Sequence, residues 1–195
     1  MALPENTSVY DTLNGGIAFL IHKMAPALEC LSRYDTCDFT PTDSTSSVFD
    51  SAGGVLPDVD QVRRTIHELR AALTRTDGAG DLFGIERGDG IASLLDNLNQ
   101  NVFGSDVYPT CADKAAHLLY FFVKNHPLSD GNKRCGAFLV NMFLGANGLP
   151  TLDNAALTAL TLLVAQSKPE ERDVTLGVLK FLLIQHITPQ SPFKM

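Results

Sequence analysis

Positive charge is scarce in this 195-residue sequence: 15 Lys+Arg stand against 22 Asp+Glu, a formal net charge of −7. Binding to a duplex draws its affinity from clustered Lys and Arg that neutralise phosphates, so duplex nucleic acid is excluded as the main partner. The shortage does not exclude a pocket for one nucleotide, where local charge outweighs the total. Tryptophan is absent, and the four cysteines, Cys30, Cys37, Cys111 and Cys135, include no C-x-x-C pair. The opening Met1-Ala-Leu-Pro-Glu5 has neither the basic nor the apolar segment of a secretory leader. Free thiols in a reducing cytoplasm are therefore the expectation. No apolar run reaches the ~18 residues of a membrane span. Leu176 to Ile187 comes closest and is interrupted by Lys180, so no membrane partner is expected. His22, His67, His117 and His186 lack the paired spacing of a metal site and read as core or surface histidines.

What is present suits one core with an extension. Hydrophobic residues make up 45% of the chain, enough to bury a core. Ile17 to Leu31 is apolar enough for a buried helix, with Pro26 kinking it or beginning a second one. Residues 36–54 are dense in Thr, Ser, Asp and Gly and read as a long loop. Val62, Ile66, Leu69 and Leu73 share one face of a helix running from Pro57 or Asp58 to about Arg75. The Gly-rich stretch Thr76 to Gly80 ends that helix and marks the junction between an N-terminal helical extension, 1–80, and a core, 81–195.

The second half is more regular. Thr110 to Asp113 has a capping pattern ahead of a helix over Ala115 to Lys124, and a further helix is expected from about Gly131 to Ala146, stopped by Gly148 and Pro150. Asp153 can cap a helix over Ala155 to Gln166; Ser167 to Glu170 has capping-box spacing ahead of a last helix to about His186. Extended structure is expected only in 88–104, where Gly and Asn break any long helix. The fold class is mostly α with a small β-hairpin. Arg63-Arg64 reads as a solvated helix face, and Cys135 and the aromatic run Tyr120 to Phe122 as core.

His126-Pro-Leu-Ser-Asp130-Gly131-Asn132-Lys133-Arg134 concentrates the chemistry at a loop-to-helix junction. A helix N-terminus offers unpaired N–H groups and the positive dipole end to an anion. Gly131 permits close approach of a phosphate, Asn132 can donate to its oxygens, and Lys133 and Arg134 add charge. Asp130 is a hard oxygen ligand of the kind Mg²⁺ takes when it also binds phosphates. His126 stands just ahead, where a proton could be taken from an attacking hydroxyl. Cations in a first turn oppose the dipole, which speaks against a purely structural helix start.

The segment resembles the signature of the Fic/Doc family, H-x-F-x-(D/E)-(A/G)-N-(G/K)-R, with Leu128 where the family usually has Phe. The runs Tyr108 to Asn125 and Gly136 to Leu139 are similar to the same family, nearest to Fic-type domains of the RhuM virulence type. The resemblance spans roughly Gly84 to Gln166 and implies a Fic-fold helical bundle with a β-hairpin flap. It implies His126 as general base, Asp130 as the Mg²⁺ ligand on the nucleotide phosphates, Gly131 and Asn132 as the anion hole, and Arg134 as a phosphate contact. Lys133 occupies the position where the AMP-transferring branch has Gly and the Doc branch has Lys. Ala137 occupies the position of that first branch's second Arg. Both departures lean towards Doc-like phosphate transfer.

The stretch Ile91 to Phe103 is similar to the family's flap, which implies that Asn97, Leu98, Asn99 and Gln100 dock an extended segment of the target. Family members are often silenced by a motif (S/T)-x-x-x-E-(G/N). Only Glu5 is followed by Gly or Asn, and Met1 holds its Ser/Thr position, so any such control would come from a separate inhibitor or antitoxin chain. The resemblance thus implies a transferase moving phosphate or a nucleoside monophosphate from ATP or another nucleotide, with Mg²⁺, to a hydroxyl of a target protein. A degenerate regulatory module that keeps the anion pocket without transfer is the alternative, prompted by Leu128 and Ala137.

Overall fold

The computed structural model describes residues 17–39, 53–76 and 78–187. It divides into two compact units, 1–39 and 40–195. The first contains α1 (Ile17–Thr36), which runs through Pro26 without ending there. This is not the buried helix expected from its composition: Ile21, Met24, Leu28 and Leu31 are exposed. Glu29 and Arg33 pair across one turn at 2.9 Å. Most of the loop expected over 36–54 lies outside the described residues.

The second unit contains α2 (Val59–Thr74), α3 (Gly90–Leu98), β1 (Asn101–Val102), β2 (Ser105–Asp106), α4 (Cys111–Asn125), α5 (Asn132–Ala146), α6 (Asn154–Gln166), a 3-10 turn (Pro169–Glu171) and α7 (Arg172–Ile187). The fold is mostly helical, with one two-stranded antiparallel ribbon among the described residues. The caps are local. Asp58 Oδ1 accepts from the Gln61 N–H at 2.7 Å while Gln61 Oε1 accepts from the Asp58 N–H at 2.8 Å, a reciprocal capping box. Thr110 Oγ1 accepts from the Asp113 N–H at 3.0 Å, and Asp153 Oδ1 from the Ala156 N–H at 2.8 Å. The box expected at Ser167 does not form; one half of such a pattern appears a residue later. The Lys168 N–H donates to Glu171 Oε2 at 2.7 Å, whereas Ser167 closes α6 by donating its hydroxyl to the Val164 carbonyl at 2.9 Å.

Helix α4 is the centre of the unit. Its residues from Cys111 to Val123 are all buried, as a helix enclosed on every side requires, and α3, α5, α6 and α7 pack around it. Gly136 lets α5 approach closely, since a Cβ there would stand 3.2 Å from Phe122 Cβ. Leu119, Phe122, Leu139, Phe143, Val164 and Leu179 fill the space between the helices. Val62 and Ile66 of α2 enter this same core, each side chain contributing about 1.5–3 kcal/mol by leaving water. Their burial joins α2 to the later helices, so the compact unit begins before it, and the Gly-rich stretch Thr76 to Gly80 falls inside the unit rather than at its edge.

The 88–104 region corrects the expectation of an extended piece. Ile91, Leu94, Leu95 and Leu98 recur at i, i+3, i+4 and i+7 and are all buried; that helical face outweighs the cost of Gly90 at the first position. Asn97 and Leu98 therefore lie in α3, and Asn99 is its C-cap. The ribbon follows at 101–106, with Gln100 at its base accepting through its carbonyl from the Val107 N–H at 2.9 Å. Asn101 pairs with Asp106 and Val102 with Ser105. Phe103 and Gly104 turn the chain at φ 52° and 86°, the two positive values of a type I′ hairpin, and Phe103 is fully exposed at the tip. No helix among the described residues is long and apolar enough to cross a membrane. None of the four cysteines is in a disulfide.

Candidate functional site

The conspicuous motif forms the loop between α4 and α5. Helix α4 stops at His126, whose backbone turns left-handed at φ 49° and ψ 57°, a conformation His tolerates better than most side chains. His126 is exposed, and its imidazole has no hydrogen-bond partner among the described residues. Leu128, by contrast, is completely buried and anchors the loop beneath its exposed ends. Asn132 fixes that anchor: Oδ1 accepts from the Leu128 N–H at 2.9 Å and Nδ2 donates to the Leu128 carbonyl at 2.8 Å. The amide thereby shapes the loop, while the second Nδ2 hydrogen and the backbone N–H of Asn132 stay available to an anion.

A second clamp comes from residues 83–87. The Gly84 N–H donates to the Asp130 carbonyl at 3.0 Å, the Ser129 N–H to the Ile85 carbonyl at 2.7 Å, and the Arg87 N–H to the Pro127 carbonyl at 2.8 Å. The loop is thus held along its length by backbone pairing. Glu86 secures this clamp. Its carboxylate accepts from the Ile91 N–H at 3.0 Å, at the start of α3, and pairs with Arg63 at 2.8 Å. Arg63, expected on a solvated face, therefore ties α2 to the loop's support.

Gly131 is the N-cap of α5, at φ 87°. A Cβ there would stand 2.4 Å from the Phe83 ring, so the position requires glycine both for its backbone and for the buried ring beside it. Phosphate approach alone does not account for this glycine; the Phe83 ring also demands it. Asp130 Oδ1 accepts from the Gly131 N–H at 2.6 Å, and Oδ2 lies 3.5 Å from Arg134, with both side chains about half exposed. Arg134 also donates to the Gly78 carbonyl, and its guanidinium carbon stands 4.5 Å from the centroid of the Phe83 ring. Lys133 is exposed and has no partner among the described residues.

The structure therefore brings Asp130, Gly131 and Arg134 together at the start of α5, leaves Lys133 open to solvent, and sets His126 at the opposite end of a braced loop. A hydroxyl presented near His126 and an anion received at the α5 N-terminus is the division of labour this arrangement offers. His117, His186 and Cys135 are occupied elsewhere. His117 is buried between Tyr108 and Phe121, with Nδ1 2.8 Å from the Asp113 carbonyl, and burial holds its pKa below the usual value. His186 Nε2 lies 3.1 Å from the Thr151 carbonyl. Burial pushes the Cys135 thiol up to about 12, which removes it as a nucleophile. Phe83, Glu86 and Gly78 were not visible as site residues in the sequence. The available signal was an isolated Phe-Gly pair just after a Gly-rich run.

The Fic/DOC family model matches residues 54–144. The chain is 48% identical over 48 residues to Toxin Doc of Mycolicibacterium smegmatis, a match covering 25% of this chain and 37% of that protein. The chain thus spans little more than a third of the curated relative it matches. No solved structure matches the chain.

Proposed function

We propose, from the match of residues 54–144 to the Fic/DOC family model, that this chain is a nucleotide-using transferase that moves a phosphate-containing group onto a hydroxyl of a target protein. The observation that carries the reading is the braced loop with an exposed imidazole at His126, unpartnered among the described residues, and a clustered carboxylate and cation at Asp130 and Arg134.

A ring nitrogen of His126 takes the proton as the target oxygen bonds to phosphorus, and the bond from that phosphorus to the nucleotide's leaving oxygen breaks. The N–H groups of the first turn of α5, Lys133 and Arg134 hold the charge that develops on the phosphates. The γ-phosphate is the group we assign first, because Lys133 and Ala137 depart from the AMP-transferring pattern and because the matched relative is a Doc toxin. The half-exposed Asp130 carboxylate suits Mg²⁺ brought in on nucleotide phosphates. Among the described residues no group of three or more His, Cys, Asp or Glu could cage a metal, so the remaining ligands would be phosphate and water. Bound there, Mg²⁺ supplies neutralisation of phosphate charge. A separate inhibitor chain and a cytoplasmic setting complete the reading.

The test incubates the chain with α- or γ-labelled ATP, Mg²⁺ and cell lysate, beside His126→Ala. Label on a protein from the γ but not the α position, lost in the variant, is the expected result; the reverse pattern assigns AMP transfer. Failure to bind nucleotide removes the proposal. The second reading, an anion-binding module without transfer, is favoured by the engagement of Arg134 with Gly78 and Asp130. It requires binding without label on any protein.

A further inference from the structure

We propose that Phe83 is a positioning residue that presents Arg134 to the anion received at the α5 N-terminus. The inference rests on the anion-binding half of the function proposed above. Phe83 has no exposed surface. The backbone beside it is locked to the loop through the Gly84 N–H and the Asp130 carbonyl. Its ring occupies the space that a side chain at position 131 would need, and the same ring carries the Arg134 guanidinium at 4.5 Å. One buried aromatic thus lies against both the N-cap glycine and the phosphate-binding cation.

The geometry suits presentation rather than capture. A guanidinium laid on a ring spends its face there and keeps its in-plane donors for acceptors at the edge. Gly78 and Asp130 engage two positions on that edge, and a planar fork of five N–H donors leaves others open. A long side chain that would otherwise sample many rotamers is held next to Gly131, on a helix end that already attracts anions. Phe83 lies outside the nine-residue signature and is brought beside it by the pairing of 83–87 with the loop.

The test titrates inorganic phosphate into the full chain and follows the Arg134 Nε–Hε signal by NMR, in the wild type, Phe83→Leu and Phe83→Met. Both variants keep apolar volume, and circular dichroism checks that they fold. A saturable shift is expected in the wild type, with midpoints raised roughly 2- to 5-fold in the variants, the range of a cation–π contact at a partly exposed site. In an Arg134→Ala background, read at the Gly131 amide, replacing Phe83 is expected to leave the midpoint unchanged, because Phe83 acts through Arg134. A merely structural Phe83 weakens binding in both backgrounds. In the unsubstituted chain the Arg134 δ-protons are expected upfield of their random-coil position; unshifted δ-protons overturn the contact whether or not any variant folds. Unchanged midpoints, an equal effect without Arg134, or no saturable response in the wild type also overturn the inference. Phosphate binding as described without labelled protein sinks the transferase reading alone, whereas label transfer with unchanged midpoints sinks only this role for Phe83.

Discussion

The amide of Asn132 satisfies both main-chain polar groups of Leu128, accepting at 2.9 Å and donating at 2.8 Å. One side chain thereby closes a buried hydrogen-bonding requirement in the middle of the motif loop. Asn132→Ala leaves a buried N–H and a buried C=O unmet, at a cost of about 2 kcal/mol or more. Urea unfolding measures the loss. Asn132→Asp fares no better at pH 7, since a carboxylate cannot donate to the Leu128 carbonyl.

Two glycines at nearly the same backbone angle separate strain from collision. Gly104 and Gly131 have φ 86° and 87°, yet a Cβ at Gly104 meets nothing within 4 Å, whereas one at Gly131 meets the Phe83 ring at 2.4 Å. Gly104→Ala is expected to cost about 1 kcal/mol from backbone strain alone. Gly131→Ala is expected to cost clearly more, by the overpacking range of roughly 1–3 kcal/mol on top of that. Thermal unfolding of the two variants compares them directly.

His117 makes stability depend on pH. Burial lowers its folded pKa below the usual 6.5, so below that pH the unfolded chain takes up a proton that the folded chain resists. Its contribution is fully present above about pH 6.5 and is lost as pH falls towards the lowered folded value, with a slope of at most about 1.4 kcal/mol per pH unit. His117→Gln is expected to flatten this part of the profile in urea unfolding between pH 7.5 and pH 5.

Thiol labelling distinguishes two cysteines. Cys37 is exposed, whereas Cys135 is fully buried, with its thiol pushed up to about 12. Iodoacetamide at pH 8 is expected to alkylate Cys37 in the native chain and to spare Cys135 until denaturant is added, as read by peptide mass.

Most helices of the second unit were legible because their signals are local. Asp58, Thr110 and Asp153 cap as their spacing implies, and the apolar period of α2 places Val62 and Ile66 in the core. Helix α3 was obscured by its flanks: Gly88, Gly90, Asn97, Asn99 and Asn101 look like breakers, yet the four-residue apolar face decides. The candidate site was legible in its chemistry and not in its support. Nothing in the local pattern of 83–87 states that its peptide groups will bond to 127–130, because backbone pairing between distant segments leaves no mark in hydrophobic period. The orientation of Asn132 was hidden for a related reason. An amide beside a helix start can serve an incoming anion or the chain itself, and only the path of the loop decides.

The pairing of 83–87 with the loop also bears on the order in which the molecule assembles. Gly78 and Arg134 are separated by 56 positions, and Val55 and Asn147, joined through the Asn147 amide, by 92. Contacts of such span must close a long loop before they return any stabilisation, which places them late on the folding path. The helices can form from their own neighbourhoods, but the loop between α4 and α5 takes its shape only when 84–87 pair with it. A chain cut short before α5 would therefore lack Asn132, which closes the loop on Leu128, and Arg134, which reaches back to Gly78.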